Sequence, residues 1–125
     1  MRILLVEDDS MNARFFVDVF DGTGHTIVVE ATGLAGYARA LQESFDLIAL
    51  DIQLPGLRGD MLCRELREQG VRTPIVALSA DAIPAEVETA LAAGFDRYLT
   101  KPFSPAALRA MVAGYAGTSG PRHGA

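Results

Sequence analysis

The sequence predicts an α/β fold in which a doubly wound, five-stranded parallel sheet is flanked by five helices. Short apolar runs recur along the chain, and the first of them, at residues 3–6, lacks polar alternation, as is typical of a strand that is buried on both faces. Segments with helical spacing of apolar residues separate these runs, and this alternation favours parallel strands joined by right-handed crossovers. The length of 125 residues is that of one domain.

The five predicted strands are short and lie at residues 3–6, 26–29, 47–50, 75–78 and 97–100. The third strand ends on Asp51 and the fourth on Ser79, while Lys101 and Pro102 follow the fifth. The segment 53–59 is rich in proline and glycine and is therefore predicted to be a loop.

The helices are predicted from capping residues and apolar stripes. Ser10 is predicted to cap the first helix, which ends near residues 21–22. The second helix covers about residues 34–43, the third follows Gly59, and the fourth starts near Pro84 and ends at Gly94. The stripes are Met11, Phe15, Phe16, Val19 and Phe20; Leu34, Ala38 and Leu41; Leu62, Cys63 and Leu66; Ile83, Val87, Ala90 and Leu91; and Leu108, Met111, Val112 and Tyr115.

Composition and charge narrow the class of protein. Half of the residues are hydrophobic, which is enough for a core. The net charge of −5 argues against nucleic acid or a membrane surface as a direct partner. One cysteine, no secretion signal and no apolar run of roughly 18 residues favour a soluble cytoplasmic protein. We expect one domain over residues 1–116 and a disordered tail over 117–125.

Polar residues follow four strands of the predicted sheet: Glu7, Asp8 and Asp9, then Asp51, Ser79 and Lys101. The carboxyl ends of parallel strands meet at one edge, where such folds bind ligands. Crowded carboxylates repel one another by roughly 4 kcal/mol per pair at about 4 Å. A hard divalent cation such as Mg²⁺, which takes carboxylate and carbonyl oxygens, would offset this repulsion.

Lysine usage gives an independent indication of a site. The chain contains ten arginines and one lysine, Lys101. A compact ammonium at a strand end, in a chain that otherwise uses arginine, indicates a site that needs a point charge. A chance surface lysine is the alternative interpretation of this residue taken alone.

Four segments occur in an order and with gaps that are specific together: residues 5–9, 51–56 with Gly59, 77–80 and 93–103. In this combination the chain resembles the receiver domain of two-component response regulators, over residues 2 to about 116. The run 6–9 with Asn12 and the loop 51–55 are similar to receivers of hybrid sensor kinases and of single-domain cell-cycle regulators. The resemblance implies a flavodoxin-like fold of the receiver type.

The resemblance also implies a phosphoryl-transfer site. Asp51 would accept a phosphoryl group from a histidine kinase or a histidine phosphotransferase. Asp8 would bind Mg²⁺ directly, Glu7 through water and Gln53 through its backbone carbonyl. A carboxylate is a workable acceptor when a metal neutralises it, because phosphoryl transfer consists mostly of positioning and charge stabilisation.

Further roles follow from the same resemblance. Ser79 and Lys101 would contact phosphoryl oxygens, and Tyr98 would move inward near Ser79. This movement would change the surface of the fourth helix, fifth strand and fifth helix for a downstream protein target. Gln53 and Asp81 would tune the lifetime of the phosphate. The protein would be a phosphoacceptor that assists its own phosphorylation and dephosphorylation, and not an enzyme.

Three assignments have structural alternatives. Tyr98 taken alone is typical of a half-buried strand aromatic, and its place three residues before Lys101 favours the switch role. Asp9 is interpreted as a helix-start acid that complements the helix dipole, with direct metal ligation as the alternative. Phe15, with Asn12, Pro102 and Phe103, could form the patch on which a kinase helix bundle docks, or it could pack in the core.

Three other functions fit the sequence less well. A phosphatase of the haloacid dehalogenase type needs Asp-x-Asp after the first strand, and residues 7–9 lack that spacing. A flavodoxin-type phosphate cradle uses Ser, Thr and Gly amides, whereas this loop carries three acids. A pseudo-receiver that only binds partners does not need the full acceptor, metal and lysine set. We expect a stand-alone switch or relay, because Met1 directly precedes the first strand; a piece of a hybrid kinase is the alternative.

Overall fold

The computed structural model describes residues 1–80 and 83–116, which form one parallel sheet with helices on both faces. The strands are β1 (Arg2–Val6), β2 (Thr26–Glu30), β3 (Leu47–Asp51), β4 (Ile75–Ser79) and β5 (Arg97–Thr100). The helices are α1 (Ser10–Val19), α2 (Gly33–Gln42), α3 (Gly59–Glu68), α4 (Pro84–Ala93) and α5 (Pro105–Ala116). The predicted fold class is confirmed, and each predicted strand lies within one residue of the observed bounds. The predicted tail lies outside the described residues.

The order of strands explains where a site can form. The sheet runs β2-β1-β3-β4-β5, and every neighbouring pair is parallel. The chain therefore reverses its direction of winding between β1 and β3. In open α/β sheets the carboxyl ends of the strands at such a reversal border a crevice.

Two apolar clusters cover the two faces of the sheet. Alternate residues of β1 and β3 belong to different clusters, because successive side chains of a strand point to opposite faces. Helices α1 and α5 contribute to one cluster, and α2, α3 and α4 to the other. Among the described residues, no helix combines the length and apolar character that a membrane span requires.

The prediction that Ser10 caps α1 is wrong. Asp9 is the N-cap residue, and its carboxylate accepts hydrogen bonds from the backbone N–H groups of Met11 at 2.9 Å and Asn12 at 3.0 Å. The carboxylate of Asp9 thus satisfies amides that lack a partner within the helix. The helix ends at Val19 and not near residues 21–22, because the following backbone bonds have the shorter i to i−3 spacing of a turn.

The apolar stripes of α3 and α5 are buried as predicted, but those of the other helices are only partly so. In α1 the inward face consists of Ala13, Phe16 and Val19, with Phe20 following, whereas Met11 is 81% exposed. The predicted stripe of α4 is also displaced: Ala90 and Ala93 are buried, Val87 is intermediate, and Ile83 and Leu91 are exposed.

The stripe predicted for α2 faces solvent. Leu34 is 75% exposed, Leu41 and Ala38 are also exposed, and the inward face carries Gly33, Gly36 and Ala40. The reason is the short distance between this helix and the sheet, since a Cβ atom on Gly36 would lie 2.5 Å from Cγ2 of Val6. Small residues are therefore the ones that fit against β1.

Arg67 joins three segments at the amino-terminal ends of β4 and β5, opposite to the carboxyl ends of the strands. Its guanidinium donates hydrogen bonds to the carbonyl oxygens of Gly94, Val71 and Thr73, and it pairs with Asp96 at 3.0 Å. The end of α3, the start of β4 and the turn before β5 are connected through this one side chain.

We expect Arg67→Ala to lower the free energy of unfolding by about 2 kcal/mol, because three partly buried carbonyl groups lose a charged donor. Arg67→Lys should recover little, since an ammonium cannot reproduce the fork of the guanidinium. Urea denaturation measures both variants. Arg64→Ala, an exposed change on the same helix, should stay within about 0.5 kcal/mol of wild type; an equal loss in both alanine variants would contradict the assignment.

Candidate phosphoryl-transfer site

Three carboxylates meet at the strand reversal. Glu7 and Asp8 follow β1, and Asp51 ends β3. One oxygen from each of the three lies within 4.8 Å of the other two. Glu7 and Asp51 are buried, whereas Asp8 is exposed. The sheet thus brings together the acids that the sequence predicts to share a site.

The single lysine of the chain lies against these acids. The ammonium of Lys101 is 2.8 Å from Oε1 of Glu7 and 3.2 Å from Oδ2 of Asp51. The backbone N–H of Lys101 donates to the carbonyl of Ser79 at 2.6 Å, which holds the start of the loop beside β4. The peptide bond between Lys101 and Pro102 is cis. Lys101 is therefore part of the acidic cluster and not an isolated surface lysine.

The other predicted site residues lie on β4 and β5. Ser79 is buried at the carboxyl end of β4, opposite Thr100. Tyr98 is half-buried on β5 opposite Ala77 and packs against the cluster formed with α2, α3 and α4. Asp81 lies outside the described residues.

The structure separates the roles of Asp9 and Gln53. Asp9 is exposed and caps α1, which confirms its interpretation as a helix-start acid. The side chain of Gln53 is exposed, but its backbone N–H donates to Oδ1 of Asp51 at 3.0 Å. The main chain of Gln53 is therefore held beside the carboxylate of Asp51.

The four residues predicted to form a docking patch line one groove. Asn12, Phe15, Pro102 and Phe103 surround a cavity of about 610 Å³ beside Lys101. Phe15 is 38% exposed, so the alternative that it packs in the core is wrong. Sequence reasoning missed two other lining residues, Met11 and Ala80. Met11 was a member of the apolar stripe of α1, and only its exposure identifies it as part of a surface.

Burial and charge change the acid–base properties of the cluster. Burial raises the pKa of Glu7 from 4.5 to about 7; the hydrogen bond to Lys101 opposes this shift and the hydrogen bond to Asp51 adds to it. Burial also lowers the pKa of Lys101, but its bond to Glu7 and the charges of Asp51 and Glu7 outweigh that effect and raise the pKa overall. Lys101 therefore stays cationic beside the carboxylates of Glu7 and Asp51.

The family follows from a match that covers most of the chain. The family model described as the response regulator receiver domain matches residues 3–113. The chain belongs to the response regulator receiver family. Domains of this family serve as phosphoacceptors in response regulators and hybrid kinases, and phosphorylation of an aspartate is their known function. This membership decides against the phosphatase and flavodoxin alternatives.

Curated relatives carry the receiver as one part of a longer protein. Hybrid signal transduction histidine kinase G of Dictyostelium discoideum is 39% identical over 120 residues, which cover 92% of this chain and 4% of that protein. The response regulator ArlR of Staphylococcus haemolyticus is 36% identical over 111 residues, which cover 89% of this chain and 50% of that protein. The chain spans half or less of the length of these relatives.

Solved structures agree with the receiver fold. The receiver domain of sensor histidine kinase PA1611 from Pseudomonas aeruginosa, with a magnesium ion coordinated in its active site cleft, is 36% identical with a TM-score of 0.84. The match covers 93% of this chain and 97% of that one. A two-component response regulator from Clostridium difficile has a TM-score of 0.90 at 25% identity, with coverage of 96% and 98%.

The donor set of this receiver domain fits a hard divalent cation. Glu7, Asp8 and Asp51 offer only oxygen atoms, which is the ligand type that Mg²⁺ and Ca²⁺ prefer. Lys101 pairs with Glu7 and Asp51, but a single ammonium cannot neutralise three carboxylates. The exposure of Asp8 leaves one side of the cluster open to an ion and its water ligands. The cluster could therefore hold a metal ion.

Removing the ammonium should destabilise the metal-free protein. We expect Lys101→Met to lower the free energy of unfolding in a chelator by about 3 kcal/mol, because two buried carboxylates lose their cation. Urea denaturation measures the change. Arg109→Met, which removes an exposed cation from α5, is the matched control and should have little effect. A similar loss in both variants would show that net charge, and not the buried pairs, is responsible.

The raised pKa of Glu7 gives a pH dependence. Because this pKa is about 7 in the folded chain against 4.5 ordinarily, the folded protein holds an extra proton between these values. The free energy of unfolding should therefore fall as the pH rises through this window. Denaturation in a chelator should show a steeper fall for wild type than for Glu7→Gln; equal slopes would contradict the assignment.

Proposed function

We propose that this receiver domain accepts a phosphoryl group on Asp51 from a histidine kinase or a histidine phosphotransferase, in a reaction that requires Mg²⁺. One observation carries the proposal. Asp51 is buried at the end of β3, shares a 4.8 Å cluster with Glu7 and Asp8, and lies 3.2 Å from the ammonium of Lys101. An acceptor carboxylate, oxygen ligands for a cation and a second positive charge thus occur together.

Asp8 and Asp51 would hold the magnesium ion with the backbone carbonyl of Gln53, and Glu7 would contact it through water. Bound magnesium supplies charge neutralisation at the acceptor and at the transferring oxygens. The indirect role of Glu7 is supported by its existing partners, because Oε1 pairs with Lys101 and Oε2 accepts the backbone N–H of Asp9 at 3.3 Å. The magnesium-containing PA1611 receiver supports the choice of metal.

In the transfer, an oxygen of Asp51 forms a bond to phosphorus while the bond from phosphorus to the donor histidine nitrogen breaks. The departing imidazole keeps the electron pair of that bond. Lys101 and the hydroxyl of Ser79 would stabilise the phosphoryl oxygens. Ser79 ends β4, which neighbours β3, and Lys101 directly follows β5, which neighbours β4. The acceptor is a side chain of the protein itself, so the domain assists its own phosphorylation and dephosphorylation and is not an enzyme with a separate substrate.

Tyr98 would transmit the phosphorylation state to a downstream protein. It lies three residues before Lys101, on the strand that adjoins Ser79, and it is only half-buried. An inward movement towards Ser79 would alter the surface of α4, β5 and α5. The lifetime of the phosphate would depend on Gln53, whose side chain is exposed beside the acceptor, and on Asp81.

The groove beside Lys101 would receive the donor protein. Its lining by Phe15, Pro102 and Phe103 next to the acceptor suits an apolar helix that carries the phosphohistidine. The net charge of −5 supports a protein partner rather than direct contact with nucleic acid or a membrane. We also propose that the protein is cytoplasmic and that the receiver domain ends near residue 116.

Incubation with Mg²⁺ and acetyl phosphate, followed by intact mass measurement, tests the proposal. We expect one adduct of about 80 Da, the mass of HPO₃, in wild type. The adduct should be absent in Asp51→Ala and in wild type with a chelator, because acceptor and metal are then missing.

Asp9→Ala is the matched control, since Asp9 is an acid of the same loop that caps α1 and lies outside the 4.8 Å cluster. It should retain the adduct. Labelling that persisted in Asp51→Ala would reject this acceptor. No labelling of wild type would instead favour a pseudo-receiver that only binds partners.

A further inference from the structure

We propose that Gly59 is a positioning residue for the acceptor and metal-binding oxygens. The proposal deepens the function proposed above and rests on it. Gly59 is the first residue of α3 and is buried, directly behind the end of β3. Its close contacts are with the backbone of Asp51 and Ile52, and it would act through that backbone.

The contact between Gly59 and the acceptor strand leaves no room for a side chain. A Cβ atom on Gly59 would lie 2.2 Å from the carbonyl oxygen of Asp51 and 2.7 Å from Cα of Ile52. Both are backbone atoms, and the strand cannot easily withdraw because the backbone N–H of Ile52 donates to the carbonyl of Leu78 at 3.0 Å. Any larger residue must therefore displace the start of α3 or the end of β3.

Space, and not backbone conformation, is what requires glycine here. The backbone of Gly59 does not have a positive φ, so an L residue could adopt it. Helix propensity does not favour glycine either, because glycine is less favourable than alanine by about 1 kcal/mol in a helix interior. Among the described glycines, those with other close contacts face side chains: Gly33 faces Leu57, Gly36 faces Val6, Gly94 faces Arg67 and Gly114 faces Arg97.

The same residue closes the loop that carries the predicted metal ligands. The backbone N–H of Gly59 donates to the carbonyl of Ile52 at 2.8 Å, which joins the two ends of the loop. Inside the loop, the N–H of Gln53 donates to Oδ1 of Asp51, and Leu54 is buried. Leu57 is half-buried and packs against the apolar cluster on the same face.

Two oxygens of the proposed metal site thus depend on one closed loop. The carboxylate of Asp51 is held by the N–H of Gln53, and the carbonyl of Gln53 belongs to the same short segment. A methyl group at position 59 would push the loop and the strand apart. Misplacement of reacting groups by about 1 Å can cost on the order of 100-fold in rate.

The test compares Gly59→Ala with wild type by three measurements. Hydrogen exchange of the metal-free protein should show faster exchange of the amides of residues 53 and 59, with β1 and β4 unchanged. Calorimetric titration with Mg²⁺ should show an affinity at least about tenfold weaker, and labelling by acetyl phosphate at saturating Mg²⁺ should be at least about tenfold slower.

Gly94→Ala is the matched control. Its Cβ atom would meet Arg67 at 2.8 Å and its φ is 116°, so it should destabilise the fold at the far edge of the sheet. It should keep the wild-type affinity for Mg²⁺. A weaker affinity in Gly59→Ala alone could then not be explained by a general loss of stability. Equal weakening of Mg²⁺ binding in both variants would overturn the proposal.

Leu57→Ala keeps the proposal testable if Gly59→Ala does not fold, because it loosens the same loop without adding an atom. It should weaken Mg²⁺ binding and speed exchange at Gln53. Wild-type exchange and Mg²⁺ affinity in Gly59→Ala, or in Leu57→Ala where the first variant is unfolded, would overturn the role of Gly59. Failure of wild type to be labelled would overturn the proposed function, while exchange and Mg²⁺ binding would still decide the role of Gly59.

Discussion

The ion pairs of Lys101 with Glu7 and Asp51 are the interaction on which the site depends. Three carboxylates lie within 4.8 Å at the carboxyl edge of the sheet, and two of them are buried. Burial of such a group is unfavourable unless a cation accompanies it. Lys101 supplies one positive charge. The negative charge that it leaves uncompensated would favour the binding of a divalent cation. Binding of a cation at this cluster would therefore be linked to stability through the same few atoms.

This charge cluster requires a rigid backbone beneath it. The central strands β1, β3 and β4 are almost wholly buried and hydrogen-bonded on both sides, so they place Glu7, Asp51 and Ser79 with little freedom. The loop after β3 is closed by the bond from the N–H of Gly59 to the carbonyl of Ile52, next to the end of that strand. In contrast, the groove lined by Phe15 lies on the surface, beside Lys101.

Sequence periodicity predicted the elements better than the faces of the helices. The strands and the stripes of α3 and α5 are where the patterns indicate, because buried strands and long apolar side chains leave strong signals. The stripe of α2 faces solvent, since Gly36 fits against Val6 where leucine cannot. Likewise, Asp9 and not Ser10 caps α1, a choice between adjacent residues that both suit the position.

The fold class, the family resemblance and the identity of the acidic residues could be predicted from the sequence, because apolar runs and ordered motifs are local properties of the chain. Which atoms come into contact depends on the packing of the folded chain. In the fold, Lys101 lies against Glu7 and Asp51, Phe15 and Phe103 line one groove, and Gly59 packs against the backbone of Asp51. Such contacts join residues far apart in the chain, and distances of a few ångströms follow only from the packing of helices on the sheet.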